Sequence, residues 1–559
     1  MSYNHIVLIT NMRKVRHKES LILILFLLLV SLFSTQTFAQ ENVFDELVKY
    51  EQKSSFIKEF KIPIDTFGLK GITSDSKGNV WIYHSTNDAS TILKLEPETG
   101  KFTQYVIEGK TISDEPIINL AGGMLAFDSK RNFVWFTDAR TNSIGMLDIE
   151  SGKIELIGIS TPNSGVMGIT LSPDATHVWF SEIIANKIAS LEIESNKITE
   201  YPTGEQSGPS LITFDSKGTL WAALSYSQSI LRLDPELTGS DSKGISIIKL
   251  PETFSPFGIA VIKRNGIQQL FVSDHGSSKI ISFYDGSDYQ SFTYWTSPSQ
   301  IYPTTLPGQI VADKFGNIYF PQHGGNRISK FEVESNLITE YDIPTGPLST
   351  VLFIAVTEDG NKLWFTEVAA NKAAYLDTTV LLPFRLHVKS ENQITLEKNM
   401  TQTIDVLISK DSSNQDSNLS LSEVEVSVVG MSESGLDGII YSTNPPRSNL
   451  EQNQVAESKV ELKVGDNAKP GQYHIMVRAS AMEKGQQLLV SQLYPISLIL
   501  DVPKPLSDIS PMVSKESRTS EDMTFRDITN MMAILVAGGL VGFLIYSRIK
   551  RRTEKQRQD

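Results

Sequence analysis

Seven aromatic strands at a near-constant interval constrain this chain more than any other feature. Aligned on their central aromatic residue they read GNVWIYH (Trp81), NFVWFTD (Trp135), THVWFSE (Trp179), GTLWAAL (Trp221), QQLFVSD (Phe271), GNIYFPQ (Tyr319) and NKLWFTE (Trp364). The intervals are 54, 44, 42, 50, 48 and 45 residues. A period of about 40–50 residues marks a propeller or a related array. Each unit has one internal grammar. A glycine-led apolar stretch (GITSD at Gly71, GITLS at Gly168, GIAVI at Gly258) precedes the aromatic strand. A third strand follows an Asn (NSIGMLDI, NKIASLEI, NRISKFEV), and a fourth ends the unit (KIELIGI, KITEYPT, LITEYDI). Four short alternating strands with Gly, Asn and Asp turns make one blade.

The seventh unit ends at Ala373-Ala374-Tyr375-Leu376-Asp377 without an ITEY-like strand. A matching segment, Phe56-Ile57-Lys58-Glu59-Phe60-Lys61-Ile62, lies at the other end of the repeat region. The expectation is a closed seven-bladed propeller over 55–380, with the N-terminal strand completing blade 7. An open array would not explain this permutation.

From Pro383 the period stops. Residues 381–503 read as about eight strands of other spacing with no helical pattern, which predicts an immunoglobulin-like sandwich. The fold class expected is all-β, with one further element, a C-terminal transmembrane helix. The sandwich is read as a spacer lifting the propeller off a membrane, with 504–527, rich in Ser, Pro and charge, as a stalk. Two N-x-S/T sequons, Asn399 and Asn418, fall in this part of the chain.

Charge shows why a membrane enters the argument. The formal net charge of −13 hides +3 over residues 1–39 and +4 over 548–559, which leaves −20 between them. Leu21 to Phe33 is apolar, follows a basic cluster and precedes Thr37-Phe38-Ala39, the layout of a signal peptide over 1–39. An uncleaved N-terminal anchor is the alternative, and 40–54 is a linker in either case. Ile528 to Ser547 is uncharged and, apart from Thr529, Asn530 and Ser547, apolar; twenty helical residues span about 30 Å, the hydrocarbon thickness. The basic tail 548–559 puts that end in the cytoplasm. Gly538 and Gly542 form a GxxxG pair that would allow a helix-mediated dimer. The expected location is thus a single-pass membrane protein with its body outside the cell. The acidic body argues against nucleic acid as a partner. The absence of cysteine excludes disulfides, thiolate metal sites and cysteine nucleophiles.

Candidate chemistry lies at the strand ends. Three residues after each aromatic stand His84, Asp138, Glu182, Leu224, Asp274, Gln322 and Glu367. Equivalent repeat positions lie at equal depth, so the column predicts a polar ring. Asp138, Glu182 and Glu367 are candidates for a hard divalent cation, which prefers oxygen ligands. The same acids would serve equally well as hydrogen-bonding structural residues. His84, Asp274, His275, Gln322 and His323 are candidates for ligand binding. His275 and His323, in Ser-Asp-His-Gly and Pro-Gln-His-Gly-Gly, are the candidate general bases, with Gly276, Gly324 and Gly325 leaving room for close approach.

The blade pattern also resembles the virginiamycin B lyase (streptogramin lyase) family. The resemblance is carried by VWFTDARTNSIGMLDIESGKIE (134–155), VWFSEIIANKIASLEIESNKITEYPTG (178–204) and IYFPQHGGNRISKFEVESNLITEYDIPTG (318–346), and covers roughly 55–380. It implies a seven-bladed propeller that opens a cyclic depsipeptide by elimination, with Mg²⁺ held by two glutamates and a histidine as base. Carried over residue by residue, the first family histidine falls on Phe257, the Glu-x-His pair on Thr305 and Pro307, and the second glutamate on Gln322. None keeps the chemistry, since Phe and Pro are not bases and neutral Thr and Gln are poor Mg²⁺ ligands. Three functions follow as expectations, one of them a purely architectural role in the cell envelope. Another is a surface module that binds an extracellular ligand or envelope protein without catalysis. The third is a lyase or hydrolase with a relocated, metal-assisted site at His275 and His323.

Overall fold

The computed structural model describes residues 54–64, 68–86, 89–111, 121–237, 244–251, 253–286, 293–296, 305–346, 349–398, 400–410, 423–430, 438–450, 455–483 and 486–501. The expected signal peptide, stalk, transmembrane helix, basic tail and both sequons lie outside these residues. Nearly all described residues belong to one compact unit, Ser54–Ile343 with Leu348 onward.

Seven sheets built alike follow one another along the chain. Blade 3 is the type case, its strands Val166–Leu171, His177–Glu182, Lys187–Glu192 and Lys197–Pro202 pairing antiparallel in sequence order. The innermost strand of each blade packs against the innermost strand of the next, and that of blade 7, Val351–Val356, packs against Leu69–Ser74 of blade 1. The ring is therefore closed. Blade 7 takes its fourth strand from Ile57–Lys61, which pairs antiparallel with Lys372–Asp377. A salt bridge of 2.7 Å from Lys372 to Glu59 crosses that junction.

The repeated residue types have visible causes. In blades 1, 4 and 6 an Asp heads the turn between first and second strands. Asp75 and Asp215 each accept two backbone N–H groups of their turn and the indole N–H of Trp81 or Trp221, both at 3.0 Å. Asp313 does the same with the hydroxyl of Tyr319. In blades 2, 3, 6 and 7 the Asn before the third strand adopts a left-handed backbone, with φ of 52° at Asn142, 57° at Asn186, 54° at Asn326 and 53° at Asn371. Asn tolerates that region better than most residues. Its side chain then closes the loop, as when Asn142 donates to the Ile159 and Thr161 carbonyls.

At four junctions blade is fastened to blade by a Thr or Ser hydroxyl just before the strand-end residue. Thr137 donates to the Met167 carbonyl, Ser273 to the Gly308 carbonyl and Thr366 to the Lys70 carbonyl, at 2.9, 2.6 and 2.8 Å. Ser181 likewise donates to the Ser210 carbonyl. The closure between blades 7 and 1 thus uses the same bond as the junctions after blades 2, 3 and 5.

Beyond the propeller, nine strands form two sheets on one core. Phe384–Lys389, Thr401–Lys410, Val455–Val464 and Ile439–Asn444 make one sheet. Gln393–Glu397, Gln486–Asp501, Gly471–Glu483, Glu423–Gly430 and Arg447–Asn449 make the other. Alternation is clean on Val455–Val464, where Ala456, Ser458, Val460, Leu462 and Val464 are buried and the residues between are exposed. The strand Arg447–Asn449 exceeds the eight expected.

The region expected as a spacer joins blade 6 through one strand. The first half of Gln486–Asp501 pairs antiparallel with the outer strand of blade 6, Leu337–Asp342, from Ile338↔Leu493 to Tyr341↔Val490. Its second half pairs parallel with Gln393–Glu397. One nine-stranded sheet therefore runs from the propeller into the second sheet set. The alternating pattern YPISLILDV covers only the second half of this strand, and the half that makes the join precedes it. Among the described residues no helix is long and apolar enough to cross a membrane.

Candidate functional site

The strand-end column is buried, as its place between packed blades requires. His84, Asp138, Glu182, Asp274, Gln322 and Glu367 each expose under 5% of their surface. They do different things. His84 lies beside Gly68, where a Cβ would come within 3.1 Å of Nε2. Asp138 accepts from the Tyr83 hydroxyl at 3.0 Å and from the Arg140 backbone N–H, with the Arg140 guanidinium at 3.7 Å. Asp274 accepts from the backbone N–H groups of Phe254 and Ser255 and from the Ser277 hydroxyl, so it caps a loop of its own blade.

Glu182 and Gln322 sit in one repeated arrangement. The strand-end residue faces a cation at the start of the third strand and an acid in the fourth. In blade 3, Lys187 pairs with Glu200 at 2.5 Å. Glu182 has no hydrogen bond to either oxygen. Burial, then the Glu200 charge, push its carboxyl up to about 7, against the pull of Lys187. Burial opposes ionisation of Glu200 too, but hydrogen bonds from Lys187 and Thr161 outweigh it and hold that carboxyl low. In blade 6, Gln322 donates to Ser329 at 2.6 Å and Glu340 at 2.8 Å, while Arg327 pairs with Glu340 at 3.2 Å and Asp342 at 2.5 Å. Blade 7 places Glu367, Lys372 and Glu59 at the same three positions. The sequence carried a signal for this: Lys187 and Glu200, like Arg327 and Glu340, stand in the recurring Asn-Lys/Arg-Ile and Ile-Thr-Glu-Tyr.

His275 and His323 do come together, at the shared end of blades 5 and 6. Their rings are 5.8 Å apart and edge to face. His275 Nδ1 lies 3.1 Å from the Pro307 carbonyl. A carbonyl only accepts, so Nδ1 carries the proton and Nε2 the lone pair. Burial lowers the His275 pKa, and burial followed by the neighbouring His275 lowers His323 to about 3. Both imidazoles are neutral at pH 7. Phe257 lies 5.5 Å from His275 and 6.3 Å from Phe353, ring to ring, giving the pair an aromatic wall.

Three buried polar atoms nearby have no hydrogen-bond partner: Thr305 Oγ1, Gln322 Oε1 and His323 Nδ1. The backbone brings the residues that carry them together. His323 and Gly324 donate to the carbonyls of Leu306 and Thr305, and Pro307 bridges to Gln322. The glycines do not open this place to a ligand as expected. A Cβ at Gly276 would meet the Phe254 ring at 2.2 Å, and one at Gly325 would meet the Gln322 amide oxygen at 2.8 Å. Their room is already filled by the protein. Thr305, Phe257 and Phe353 were not among the expected site residues. Thr305 and Phe257 were reached only as substituted family positions.

The family model for virginiamycin B lyases matches residues 55–347, more than half of the chain. The chain belongs to the virginiamycin B lyase family. Among solved structures, a streptogramin B lyase is 25% identical, with 58% of this chain and 97% of that one covered at a TM-score of 0.48. Virginiamycin B lyase from Staphylococcus aureus is 27% identical, with 57% and 98% covered at 0.47. A catalytically inactive form of the latter with quinupristin is 26% identical, with the same coverage, at 0.48. A comparison with curated proteins found no match.

Family membership raises the question of Mg²⁺. The residues at the family's positions do not fit it. Phe257, Thr305, Pro307 and Gln322 supply no carboxylate, and the oxygens of nearby Asp274 are taken up by N–H and O–H donors. Mg²⁺ is bound through carboxylates and water. Asp138, Glu182 and Glu367 stand on three different blades, and among the described residues no three His, Cys, Asp or Glu side chains form a metal-binding group.

Proposed function

We propose that this virginiamycin B lyase family member is a surface module that binds a small ligand or a partner's side chain at the shared end of blades 5 and 6, without lyase chemistry. One observation carries the reading: the buried unpartnered atoms of Thr305, Gln322 and His323 beside the His275–His323 pair. Unsatisfied buried groups are costly and mark a functional place when they cluster. The elimination expected of the family needs a metal-polarised ester and a base, and its positions here offer neither. The propeller is carried, on this reading, by an immunoglobulin-like sandwich and tethered outside the cell by the C-terminal apolar segment, after export by the N-terminal one.

The experiment is incubation of the full chain, in detergent, with quinupristin, with and without Mg²⁺. The expected result is no ring opening under either condition. Ring opening lost in His275→Ala or His323→Ala would overturn the binding reading in favour of a relocated catalytic site. Protease protection of the basic tail in sealed cells, with an exposed propeller, is the expected topology; a protease-accessible tail refutes the tether.

A further inference from the structure

We propose that His275 and His323 together form a binding site for a borderline transition-metal dication of the Zn²⁺ or Ni²⁺ class, with the oxygens of Gln322 and Thr305 beside it. The inference deepens the binding reading above and rests on the same end of blades 5 and 6.

The geometry comes first. With a metal–nitrogen distance of about 2.1 Å, each ring centre lies about 3.2 Å from a shared ion, so two rings on one ion stand at most about 6.4 Å apart. The observed separation is 5.8 Å. The hydrogen bonding comes second. A metal-binding imidazole usually donates its other N–H to a carbonyl or carboxylate, which fixes the tautomer. His275 does so to Pro307, leaving Nε2 as a lone pair. Third, the buried atoms without partners, Gln322 Oε1, Thr305 Oγ1 and His323 Nδ1, are a neutral nitrogen and oxygen set. Imidazole suits Zn and Ni, whereas Mg²⁺ asks for carboxylates. Two protein imidazoles leave positions open, as a site that takes up a further ligand requires.

The test uses untagged full-length protein, freed of metal and titrated with ZnCl₂, NiCl₂ or MgCl₂ by calorimetry. One equivalent of Zn²⁺ or Ni²⁺ is expected, with affinity falling at least tenfold in His275→Gln and in His323→Gln, and no heat from Mg²⁺. With ¹⁵N-labelled histidine, Zn²⁺ should move the His275 Nε2 resonance of the unaltered protein, a readout that stands if either variant misfolds. Unmoved His275 and His323 resonances at saturating Zn²⁺, or an affinity in both variants equal to that of the unaltered protein, would overturn the site. An organic ligand bound equally well by metal-free protein leaves the binding reading standing while this one falls.

Discussion

Blades 3 and 6 place the same three positions at the same depth, yet they solve the resulting electrostatic problem differently. Blade 3 has Glu182 over Lys187 and Glu200: two acids, one cation, and a buried carboxyl with no donor. Blade 6 has Gln322 over Arg327 and Glu340. Its amide keeps the shape of a glutamic acid, adds no charge and donates to Glu340. Blade 6 also adds Asp342 and, from the strand Gly471–Glu483, Arg478, whose pKa burial lowers while Glu340 pulls it back up. Arg478 in turn donates to Ser491, which pairs with Glu340 across the join. A repeat thus keeps its geometry while one blade is reworked to carry a second sheet set on its outer edge and, at its end, one of the two paired imidazoles.

The largest effect should come from breaking the blade 6 cluster. Glu340→Leu strips Arg327 of one partner and Gln322 of its acceptor in a fully buried place. Removing one member of a buried ion pair costs about 3–5 kcal/mol. Lys187→Met in blade 3, where the pair is partly exposed, should cost about 1 kcal/mol or less. Denaturant unfolding of the two variants measures the contrast. Equal losses would show that the join to the second sheet set adds nothing to blade 6.

The next effect is set by pH. The Glu182 carboxyl is raised in the folded protein to about 7 from an ordinary 4.5. Between those values the folded chain holds a proton that the unfolded chain has released, so stability must fall as pH rises through this window. The fall is up to about 3 kcal/mol, since each pH unit between the two values is worth about 1.36 kcal/mol. Glu182→Gln, which copies blade 6, should remove that fall and leave the variant the more stable above pH 7. The reverse exchange, Gln322→Glu, should give blade 6 the same alkaline weakness, with a smaller loss because Arg327 lies beside it. Parallel melting curves of both variants from pH 5 to 8 are the measurement. An unchanged profile in Glu182→Gln would remove that group from the account.

Much of this was legible in the sequence because a repeat reads itself seven times. Aromatic spacing and the Asn before each third strand point to the blade grammar, and the displaced Phe56–Ile62 strand shows where the ring closes. The join between blade 6 and the second sheet set was not legible. Strand pairing across two sets of sheets depends on which edge is left open, and one sequence does not state that. The site was legible in part. His275 and His323 stood out as asymmetric residues, but the unpartnered Thr305 and Gln322 atoms follow from backbone bonds that bring residues 305–307 against 322–324. The carboxylate column pointed to a ring of equals, whereas Glu182 and Glu367 share one arrangement and Asp138 and Asp274 each answer to their own neighbours.

The smallest predicted effect tests the seam against an ordinary blade junction. Thr366→Val removes the hydroxyl that donates to Lys70 across the closure between blades 7 and 1, and Thr137→Val removes its counterpart between blades 2 and 3. Each leaves one carbonyl without that donor, at a cost of about 1 kcal/mol, and Thr137→Val also takes the acceptor from the Met124 N–H. The closure has further ties in the Lys372–Glu59 pair and the bond from Asn371 to the Ile64 carbonyl. With those ties in place the seam should hold as well as an ordinary junction, so Thr366→Val should lose no more than Thr137→Val. A loss at Thr366 several times that at Thr137 would mean that the donated strand holds less firmly than a strand supplied in sequence, and that the ring opens first between blades 7 and 1.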